Sequence, residues 1–322
     1  MTRVLVTGIT GQDGTLLSRR LLAEGHEVHG LALSGDRLAE WAVDGLEAVT
    51  VHVGDLADAA RVDEVVMGVR PTEIYNLGGQ SSVAASWDDP VGTARATGLG
   101  AAAVFEAAYR VQESSGTPVR VVQASSAEIF GKAEQTPQVE STPIRPVSPY
   151  GAAKALGHHL AGVYRDRGLF VAACILYNHE STLRPTAFVT RKITAGAAAI
   201  AAGHQDRLTL GNLDAARDWG WAPDYVDAML RACRHDVAGD FVIATGRTHT
   251  VGDFARTALE HAGVEDWRGH VEVDPRFVRP TEAGVQVGDA SKAAVLLGWR
   301  PTVGFEELVG RMVDHDVSLL GS

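Results

Sequence analysis

The stretch VTGITGQDG at residues 6–14 decides the fold, because it joins a short apolar run to a segment with leucines at helical spacing. Its glycines Gly8, Gly11 and Gly14 form GxxGxxG, a variant of the dinucleotide-binding fingerprint. Such glycines allow a tight turn, a close approach of the backbone to a pyrophosphate, and close packing of a helix on a strand. The amides at the start of the helix then face the phosphates, and the helix dipole favours this arrangement. The stretch therefore predicts a strand, a nucleotide-binding turn and a helix.

Strand-like and helix-like segments alternate downstream of this stretch. The predicted strands are 3–7, 27–33, 47–53, 73–77, 119–124 and 169–176, and the predicted helices include 58–69, 91–111 and 150–167. This alternation predicts the α/β class, with a doubly wound parallel sheet of the Rossmann type that carries helices on both faces. The alternation loosens after residue 177. We therefore expect a dinucleotide-binding domain at 1–177 and a smaller C-terminal substrate-binding lobe at 178–322, some segments of which return to the first domain.

A pair of titratable residues, Tyr150 and Lys154, stands 24 residues beyond Ser126 in the run SPYGAAK. A helix places positions four apart on one face, so the ammonium can lie beside the phenol. A nearby positive charge lowers the pKa of a tyrosine toward the working pH. The pair therefore predicts a general base that removes a proton from an alcohol or sugar hydroxyl.

Composition is typical of a cytoplasmic enzyme. The chain of 322 residues is 45% hydrophobic, long enough to bury a large core, and contains no apolar run of membrane-spanning length. Its N-terminus enters a predicted strand at once, so we expect no signal segment. Cys174 and Cys233 lack paired spacing, which argues against disulfides and a zinc site, and we expect no metal. The net charge of −11 argues against nucleic acid as a partner.

A series of short motifs extends the pattern along nearly the whole chain. They are TGITGQDG at 7–14, YNLGGQSSV at 75–83, ASSAEIFGK at 124–132, SPYGAAK at 148–154, NHES at 178–181, FVTRKIT at 188–194, LGNLDAARDWG at 210–220, DYV at 224–226, VDPRFVRPTE at 273–282 and GDASKAAVLLGWRP at 288–301. In these motifs the chain resembles the extended short-chain dehydrogenase/reductases and, among them, the GDP-mannose 4,6-dehydratases. GQDG, NHES, FVTRKIT and LGNLDAARDWG are the runs most particular to these dehydratases.

The resemblance implies a dehydration with two catalytic centres besides a nicotinamide cofactor. Tyr150 is the expected base for the C4 hydroxyl of the sugar, with Lys154 tuning it. Glu128 is the expected base for the C5 proton, which becomes acidic once C4 is a ketone. Ser126 is expected to hydrogen-bond the C4 oxygen or to assist the departing C6 hydroxyl. The family has Thr-Ser-Glu where this chain has Ser-Ala-Glu at 126–128.

The resemblance also implies two sets of binding residues. The expected cofactor contacts are Gly8, Gly11, Gln12, Asp13, Gly14, Ser34, Arg37, Asp55, Leu56, Leu77, Gly78, Tyr150 and Lys154. The expected substrate contacts are Ser81, Asn178, Val189, Lys192, Leu210, Asn212, Arg217, Arg279 and Glu282. Arg217 and Arg279 suit a diphosphate, because a guanidinium makes paired, charge-assisted bonds to phosphate oxygens.

The choice between NADP and NAD depends on the end of the second predicted strand. No carboxylate stands at its tip, Leu33-Ser34, where an NAD site usually has one. Asp36 follows and could serve a ribose hydroxyl, whereas Arg37 could bind a 2′-phosphate. The family carries an Arg-Arg pair near 33–34, which this chain lacks. We expect NADP, with NAD as the alternative.

Alternative functions remain open at this point. The expected reaction converts GDP-mannose to GDP-4-keto-6-deoxymannose and water; a 4,6-dehydratase of a related sugar nucleotide, or a 4-keto reductase or epimerase, would share much of the site. A nucleotide-sensing scaffold is the non-enzyme alternative, and the intact residues at 126, 128, 150 and 154 argue against it.

The family also implies a homodimer or homotetramer. Its bundle helices would be 91–111 and 150–167, with close approach through Ala101–Ala103, Ala107, Ala108, Ala152, Ala153 and Ala155.

Overall fold

The computed structural model describes residues 2–33, 46–275 and 284–321 of the chain. Four of the expected binding residues lie outside the described residues, so the structure provides no test of their positions. They are Ser34, Arg37, Arg279 and Glu282.

A seven-stranded parallel sheet forms the centre of the molecule. Its strands are β1 (Arg3–Thr7), β2 (Glu27–Ala32), β3 (Thr50–Val53), β4 (Glu73–Asn76), β5 (Arg120–Ser126), β6 (Phe170–Leu176) and β11 (Asp240–Ile243), and they lie in the order β11-β6-β5-β4-β1-β2-β3. The strand order reverses between β1 and β4, and ligands of such sheets bind at this switch point beyond the carboxyl ends of the strands. The prediction of a doubly wound α/β sheet is confirmed.

Helices cover both faces of the sheet. They are α1 (Gln12–Ala23), α2 (Ala59–Val69), α3 (Ala85–Asp88), α4 (Pro90–Thr93), α5 (Gly100–Ser115), α6 (Pro149–Asp166), α7 (Val189–Ala201), α8 (Ala222–Arg234), α9 (Val251–His261), α10 (Ser291–Leu296) and α11 (Phe305–Leu320). Helices α1 and α8 pack on one face around Val4, Val6 and Leu17, whereas α2 and α5 pack on the other around Leu5 and Ile74. The inner strands are thus buried on both sides, as is usual in a parallel sheet, whereas the edge strand β3 is partly exposed.

The element boundaries show what the sequence pattern missed. β5 continues through Ser126, two residues beyond the predicted strand, which places the Ser126 side chain at the strand tip. The predicted helix 91–111 is divided, because a π-helical segment at Ala94–Leu99 connects α4 to α5. Helix α2 begins where Asp58 accepts hydrogen bonds from the amides of Ala60 and Arg61. Such local capping and winding has no clear signature in hydrophobic periodicity.

The alanines expected at a helix-bundle interface mostly face the core of their own subunit, which is a correction. Ala101, Ala107, Ala108, Ala153 and Ala155 are all at most 6% exposed. Alanine spacing alone does not tell which side of an amphipathic helix faces its own sheet. The exposed apolar stripe on these helices is made of larger residues. They include Leu99, Leu156 and Val163, which are 57%, 39% and 53% exposed and which we call the exposed stripe.

A third hydrophobic core, separate from the two sheet faces, lies in the C-terminal half. It is built from α7, α9 and α11, which pack around Trp219 and Phe254. Three two-stranded pairings border this core: β7 (Asn178–Glu180) with β10 (Trp219–Trp221), β8 (Leu208–Leu210) with β13 (Val271–Val273), and β9 (Ala216–Arg217) with β12 (His249–Thr250). By contrast, α8, β11 and α10 pack on the main sheet. No helix in the described ranges is long and apolar enough to cross a membrane.

Candidate active site

The glycine-rich turn lies between β1 and α1, at the switch point of the sheet. Gly8 has φ +65°, and a Cβ there would lie 2.7 Å from the Cα of Gly78 at the end of β4. A Cβ at Gly14 would lie 2.5 Å from the carbonyl oxygen of Gly8. No side chain caps α1, whose N-cap is Gly11. The turn therefore presents close-packed backbone and an uncapped helix N-terminus, which fit the pyrophosphate of a dinucleotide.

Four further expected cofactor residues, Asp55, Leu56, Leu77 and Gly78, lie beside this turn. The amide of Gly78 donates to Thr7 Oγ1 (3.0 Å), and that hydroxyl donates to Asn76 Oδ1 (2.8 Å), so β1 and β4 are joined at their tips. Leu56 is buried against Gly78, whereas Leu77 is half-buried. Asp55 is exposed and accepts from the amide of Ala57. These residues lie at the carboxyl ends of β3 and β4.

Gln12 and Asp13, at the start of α1, connect the turn to the segment that follows β6. Asp13 Oδ2 lies 2.8 Å from Nε2 of His179, and the other ring nitrogen, Nδ1, lies 2.7 Å from the carbonyl oxygen of Tyr177. Gln12 donates to the carbonyl of His179 (3.1 Å) and accepts from Ser181 Oγ (2.8 Å). Burial alone would raise the pKa of Asp13, but His179 outweighs it and lowers the pKa to about 2. The carboxylate is therefore ionised at neutral pH.

Ser126 and Glu128 lie at the tip of β5. Ser126 is 9% exposed, and its Oγ accepts from the amide of Glu128 (3.3 Å) at the start of a short 3-10 turn, Ala127–Ile129. Glu128 is half-buried. A Cβ at Gly151, in the first turn of α6, would lie 2.6 Å from the carbonyl oxygen of Glu128. This close contact places the start of α6 directly beside the Ser126–Glu128 segment.

Tyr150 and Lys154 lie on α6 facing that segment. The Tyr150 phenol is hydrogen-bonded to Ser126 and lies close enough to Glu128 and Arg184 to interact electrostatically with both. Lys154 is buried, its Nζ donates to the carbonyl of Ala124 (2.8 Å), and it lies 5.8 Å from the centre of the Tyr150 ring. The structure thus brings together all four expected catalytic side chains.

The expected direction of the Tyr150 pKa is wrong for the protein as described. Burial raises the pKa of Tyr150 to about 12, and Glu128 adds to the rise, while the hydrogen bond from Ser126 and the charge of Arg184 oppose it. Lys154 is not hydrogen-bonded to the phenol, because its ammonium donates to the Ala124 carbonyl. Burial also lowers the pKa of Lys154 to about 8, against the attraction of Asp13. Helical spacing predicted the proximity but not the desolvation.

The expected substrate residues are spread over the C-terminal half. Lys192 borders a cavity of about 540 Å³ between α7 and β8, with Thr186, Gln205, Arg207, Thr209 and Asp274 also on its wall. Leu210 is buried at the end of β8, and Arg217 is buried on β9. The remaining expected residues are exposed: Ser81, Asn178, Val189 and Asn212. Asn178 lies opposite Trp219 in the register of β7 and β10, and Trp219 follows Arg217 closely in the chain.

Three residues at the site were given no role by the sequence. Arg184 donates to both carboxylate oxygens of the buried Glu180 and to the carbonyl of His179. Its positive charge acts to lower the pKa of Tyr150 and of Asp13. His179 and Glu180 belong to the motif NHES, which signalled the segment but not the individual contacts. Arg184 stands in TLRPTA, where the chain departs from the family, so no motif indicated it.

A Rossmann sheet with a glycine-rich turn and a Tyr–Lys pair on one helix beside a serine at a strand tip is the arrangement of a short-chain dehydrogenase/reductase. The profile of the GDP-mannose 4,6 dehydratase family matches residues 5–312. The chain is 43% identical over 325 residues to GDP-mannose 4,6 dehydratase 1 of Arabidopsis thaliana, with 98% of this chain and 90% of that protein covered. It belongs to the GDP-mannose 4,6-dehydratase family.

Solved structures agree with the fold of this family. The UDP-glucose 4-epimerase of Thermus thermophilus in complex with NAD is similar with a TM-score of 0.83 at 29% identity, covering 98% of both chains. The dTDP-glucose 4,6-dehydratase of Streptomyces venezuelae with NAD bound has a TM-score of 0.85 at 25% identity, covering 99% of this chain and 98% of that one. Both hold a nicotinamide dinucleotide, which agrees with the turn at Gly8–Gly14.

Proposed function

We propose that this protein is a hydro-lyase that converts GDP-mannose to GDP-4-keto-6-deoxymannose and water. The observation that carries the proposal is the placement of a second titratable group, Glu128, beside the Tyr150 phenol. Oxidation of an alcohol needs one acid–base group at the reacting hydroxyl. Elimination of water from the neighbouring carbons needs another, and this site has both.

The first centre acts at C4 of the hexose. Tyr150 takes the proton of the C4 hydroxyl, and Ser126, which already hydrogen-bonds the phenol, holds the C4 oxygen. A bound nicotinamide, which the turn at Gly8–Gly14 would hold, would supply the hydride acceptor for C4 and the hydride donor for C6. Because the Tyr150 pKa is about 12 in the described state, the phenol needs added positive charge near it to work as a base at neutral pH. The effect of Arg184 is already contained in that value, so we assign the added charge to Lys154, which lies 5.8 Å from the ring centre and would have to exchange the Ala124 carbonyl for the phenol.

The second centre acts at C5 and C6. Once C4 is a ketone, Glu128 removes the acidified C5 proton, and the carboxylic acid so formed protonates the departing C6 hydroxyl. Water leaves, and a C5–C6 double bond remains. After hydride is returned to C6, C5 regains a proton from solvent through Glu128, which ends the cycle as a carboxylate.

Glu128 also discriminates against the related activities. A 4-keto reductase or a 4-epimerase moves hydride at C4 alone and needs no base for C5. A 4,6-dehydratase of another sugar nucleotide would keep the same two centres, so the nucleotide and hexose distinguish it from the proposed enzyme. We assign nucleotide-sugar binding to Asn178, Arg217 and Lys192 and to the cavity that Lys192 borders.

We further propose NADP as the cofactor. The support is the family resemblance and Arg37, whose guanidinium would make charge-assisted bonds to a 2′-phosphate. The assignments of Gly8–Gly14, Asp55, Leu56, Leu77 and Gly78 to cofactor binding belong to the same proposal and do not distinguish NADP from NAD.

The proposal extends to domain organisation, assembly and location. Residues 1–177 would form the cofactor domain, and 178–322 mainly the nucleotide-sugar lobe. The exposed stripe of Leu99, Leu156 and Val163 supports a homodimer or a homotetramer built from it. Both cysteines are buried free thiols, which suits the reducing cytoplasm.

The proposed activity is tested by incubating the purified protein with GDP-, dTDP-, CDP- and UDP-hexoses and measuring the mass of each product. Loss of one water from GDP-mannose is the expected result. Loss of water from a different sugar nucleotide alone would assign the protein to that substrate, and products of unchanged mass would indicate an epimerase.

A further inference from the structure

The ion pair between Asp13 and His179 fixes the charge of the imidazole. Both ring nitrogens face acceptors, since Nε2 lies 2.8 Å from the Asp13 carboxylate and Nδ1 lies 2.7 Å from the Tyr177 carbonyl. A neutral imidazole has only one N–H and can satisfy only one of them. The two short contacts therefore need the imidazolium form. The side chains of His179 and Asp13 are only 12% and 21% exposed, so water cannot readily replace either partner.

The imidazolium ring is also confined on its face. It stacks on the ring of Tyr225, with centroids 4.5 Å apart and planes 18° from parallel. Tyr225 in turn fills the space above Gly220, where a Cβ would lie 2.4 Å from the Tyr225 ring. Gly220 pairs with His179 in the register of β7 and β10. The ring position is thus determined from α1, from α8 and from its own strand pairing.

This contact joins two parts of the site that are distant in the chain. Asp13 and Gln12 begin the helix whose N-terminus faces the glycine-rich turn, and His179 lies on β7 beside Asn178. Gln12 reinforces the joint by bridging the carbonyl of His179 and the hydroxyl of Ser181. Loss of the charge on His179 would break one of the two imidazole bonds and loosen α1 from β7.

We propose that protonated His179, held by Asp13, is a positioning residue that keeps the glycine-rich turn in its binding geometry, so that dinucleotide affinity follows the charge of His179. The inference rests on the proposed function for the nature of the ligand, a nicotinamide dinucleotide. It assigns no proton transfer to His179.

The charged groups around His179 allow the direction of the pH dependence to be stated. Burial would lower the pKa of His179, but the charge and hydrogen bond of Asp13 outweigh it and raise the pKa, against the repulsion of Arg184. Tyr225 is the titratable group that faces the ring from α8, and burial raises its pKa well above the usual value, so it stays neutral. The Asp13 charge also acts on Lys154 of α6, whose pKa it raises against the larger, lowering effect of burial. Affinity should therefore be high below the raised His179 pKa and fall as the pH rises through it.

The test measures the dissociation constant of NADPH for the full-length protein between about pH 6 and 9, the range in which histidine titrates. Wild type should lose about ten-fold or more in affinity toward high pH, the size of effect expected for one charge-assisted hydrogen bond. His179→Gln can still donate to Asp13 but carries no charge, so its affinity should be low throughout and keep only the titrations of the ligand and of Lys154, whose pKa is about 8. Asp13→Asn should move the transition to lower pH.

Two further measurements keep the test decisive. Asp314→Asn removes an equivalent His–Asp contact, that of His261 on the protein surface, and should leave the affinity and its pH dependence unchanged. In wild type, the NMR titration of 13C-labelled histidine should show His179 titrating with the same pH midpoint as the NADPH affinity. This measurement needs no variant, so the inference can be tested even if a variant fails to fold. An affinity that does not change with pH in wild type, or different midpoints in the two measurements, would overturn the inference. Water loss from GDP-mannose is scored separately, so its failure would count against the proposed function and not against the role of His179.

Discussion

Lys154 holds its ammonium 5.8 Å from the centre of the Tyr150 ring while donating to the Ala124 carbonyl, so the two expected partners are close without being hydrogen-bonded. Burial moves their pKa values apart, to about 12 for the phenol and about 8 for the ammonium. Each charged form is disfavoured by the same desolvation. Burial of the ammonium therefore lowers the stability of the folded protein.

Lys154→Met should stabilise the protein at pH 7 while abolishing most of its activity. The fall of the Lys154 pKa from 10.5 to about 8 corresponds to roughly 3 kcal/mol lost in burying the charge. Loss of the bond to the Ala124 carbonyl offsets about 1 kcal/mol of the gain. The net increase in the free energy of unfolding should be about 2 kcal/mol, measured by denaturant titration.

The pH dependence of that increase has a definite sign. The folded lysine loses its proton near pH 8 but the unfolded one only near 10.5, so the wild-type penalty is complete below about pH 8 and disappears as the pH rises toward 10.5. The difference between Lys154→Met and wild type should therefore shrink between these values. A difference that is constant up to pH 10 would show that packing, and not charge, explains it.

Glu128→Gln and Tyr150→Phe should arrest the reaction at different steps. Tyr150→Phe removes the base for oxidation and should lower turnover by roughly two to four orders of magnitude. Glu128→Gln should still oxidise C4 but not deprotonate C5, so that reduced cofactor accumulates and is visible in its near-ultraviolet absorbance. Stopped-flow absorbance with GDP-mannose measures both.

Heavy water supplies the control for the role of Glu128. Wild-type product should carry deuterium at C5, because the proton that returns there comes from solvent through Glu128. A Gln variant that releases water at the wild-type rate would contradict the assignment.

The alternation of apolar strand-like runs with helical segments was sufficient to predict six of the seven strands of the main sheet, because strands buried on both faces read as continuous apolar runs, as in VLV at 4–6 and in Phe170–Leu176. It did not reveal that β11, at Asp240–Ile243, pairs with β6. The strand is short and far from its partner in the sequence, so no local pattern indicates the pairing. Nor did it show the π-helical turn before α5, which packs against α6.

The proximity of Ser126, Glu128, Tyr150 and Lys154 was predictable because these residues belong to two short motifs, one at a strand tip and one at the start of a helix. The contact between Asp13 and His179 was not, because it joins residues 166 positions apart through tertiary packing alone. Arg184 was missed for a similar reason. Its carboxylate partner, Glu180, is four residues away, but its influence on Tyr150 depends on how the segment after β7 folds over the site.

The bound cofactor should be recovered as NADP when the protein is denatured with acid and the supernatant is analysed by mass spectrometry. Arg37→Ala should weaken NADP binding several-fold and leave NAD almost unaffected, because only NADP has the 2′-phosphate. Recovery of NAD alone would overturn the choice. Equal losses for both dinucleotides would mean that Arg37 supports its loop without contacting the phosphate.

Leu156→Asp should dissociate the proposed dimer. Leu156 is 39% exposed in the subunit and lies against Gly98, the residue before Leu99. A carboxylate buried at a two-fold interface would meet its own copy and repel it. Light scattering at micromolar concentration should show a dimer or tetramer for wild type and a monomer for the variant.

Val295→Asp is the matched control for that experiment. Val295 is 81% exposed on α10, away from the stripe, and its replacement should leave the assembly unchanged. A wild-type monomer at the same concentration would refute the dimer itself.

Gln286→Leu should make the protein more stable. Gln286 is 2% exposed, and neither its Nε2 nor its Oε1 has a hydrogen-bond partner among the described residues. A buried polar group without a partner costs about 1–3 kcal/mol, and leucine has a similar size without that cost. Denaturant titration should therefore show an increase of about 1 kcal/mol or more in the free energy of unfolding.

Gln138→Leu tests the same substitution where the amide is satisfied. Gln138 is equally buried, but its Nε2 donates to the Val285 carbonyl (3.0 Å), and its Oε1 accepts from the Tyr177 hydroxyl (2.9 Å) and the Val287 amide (3.1 Å). Leucine there would leave those groups without partners, so the free energy of unfolding should fall by about 2 kcal/mol or more, an order-of-magnitude figure for several orphaned groups. Opposite signs for the two variants would show that hydrogen bonding decides stability in this segment. A loss of stability in Gln286→Leu would mean that its amide is satisfied by water or by residues beyond the described ranges.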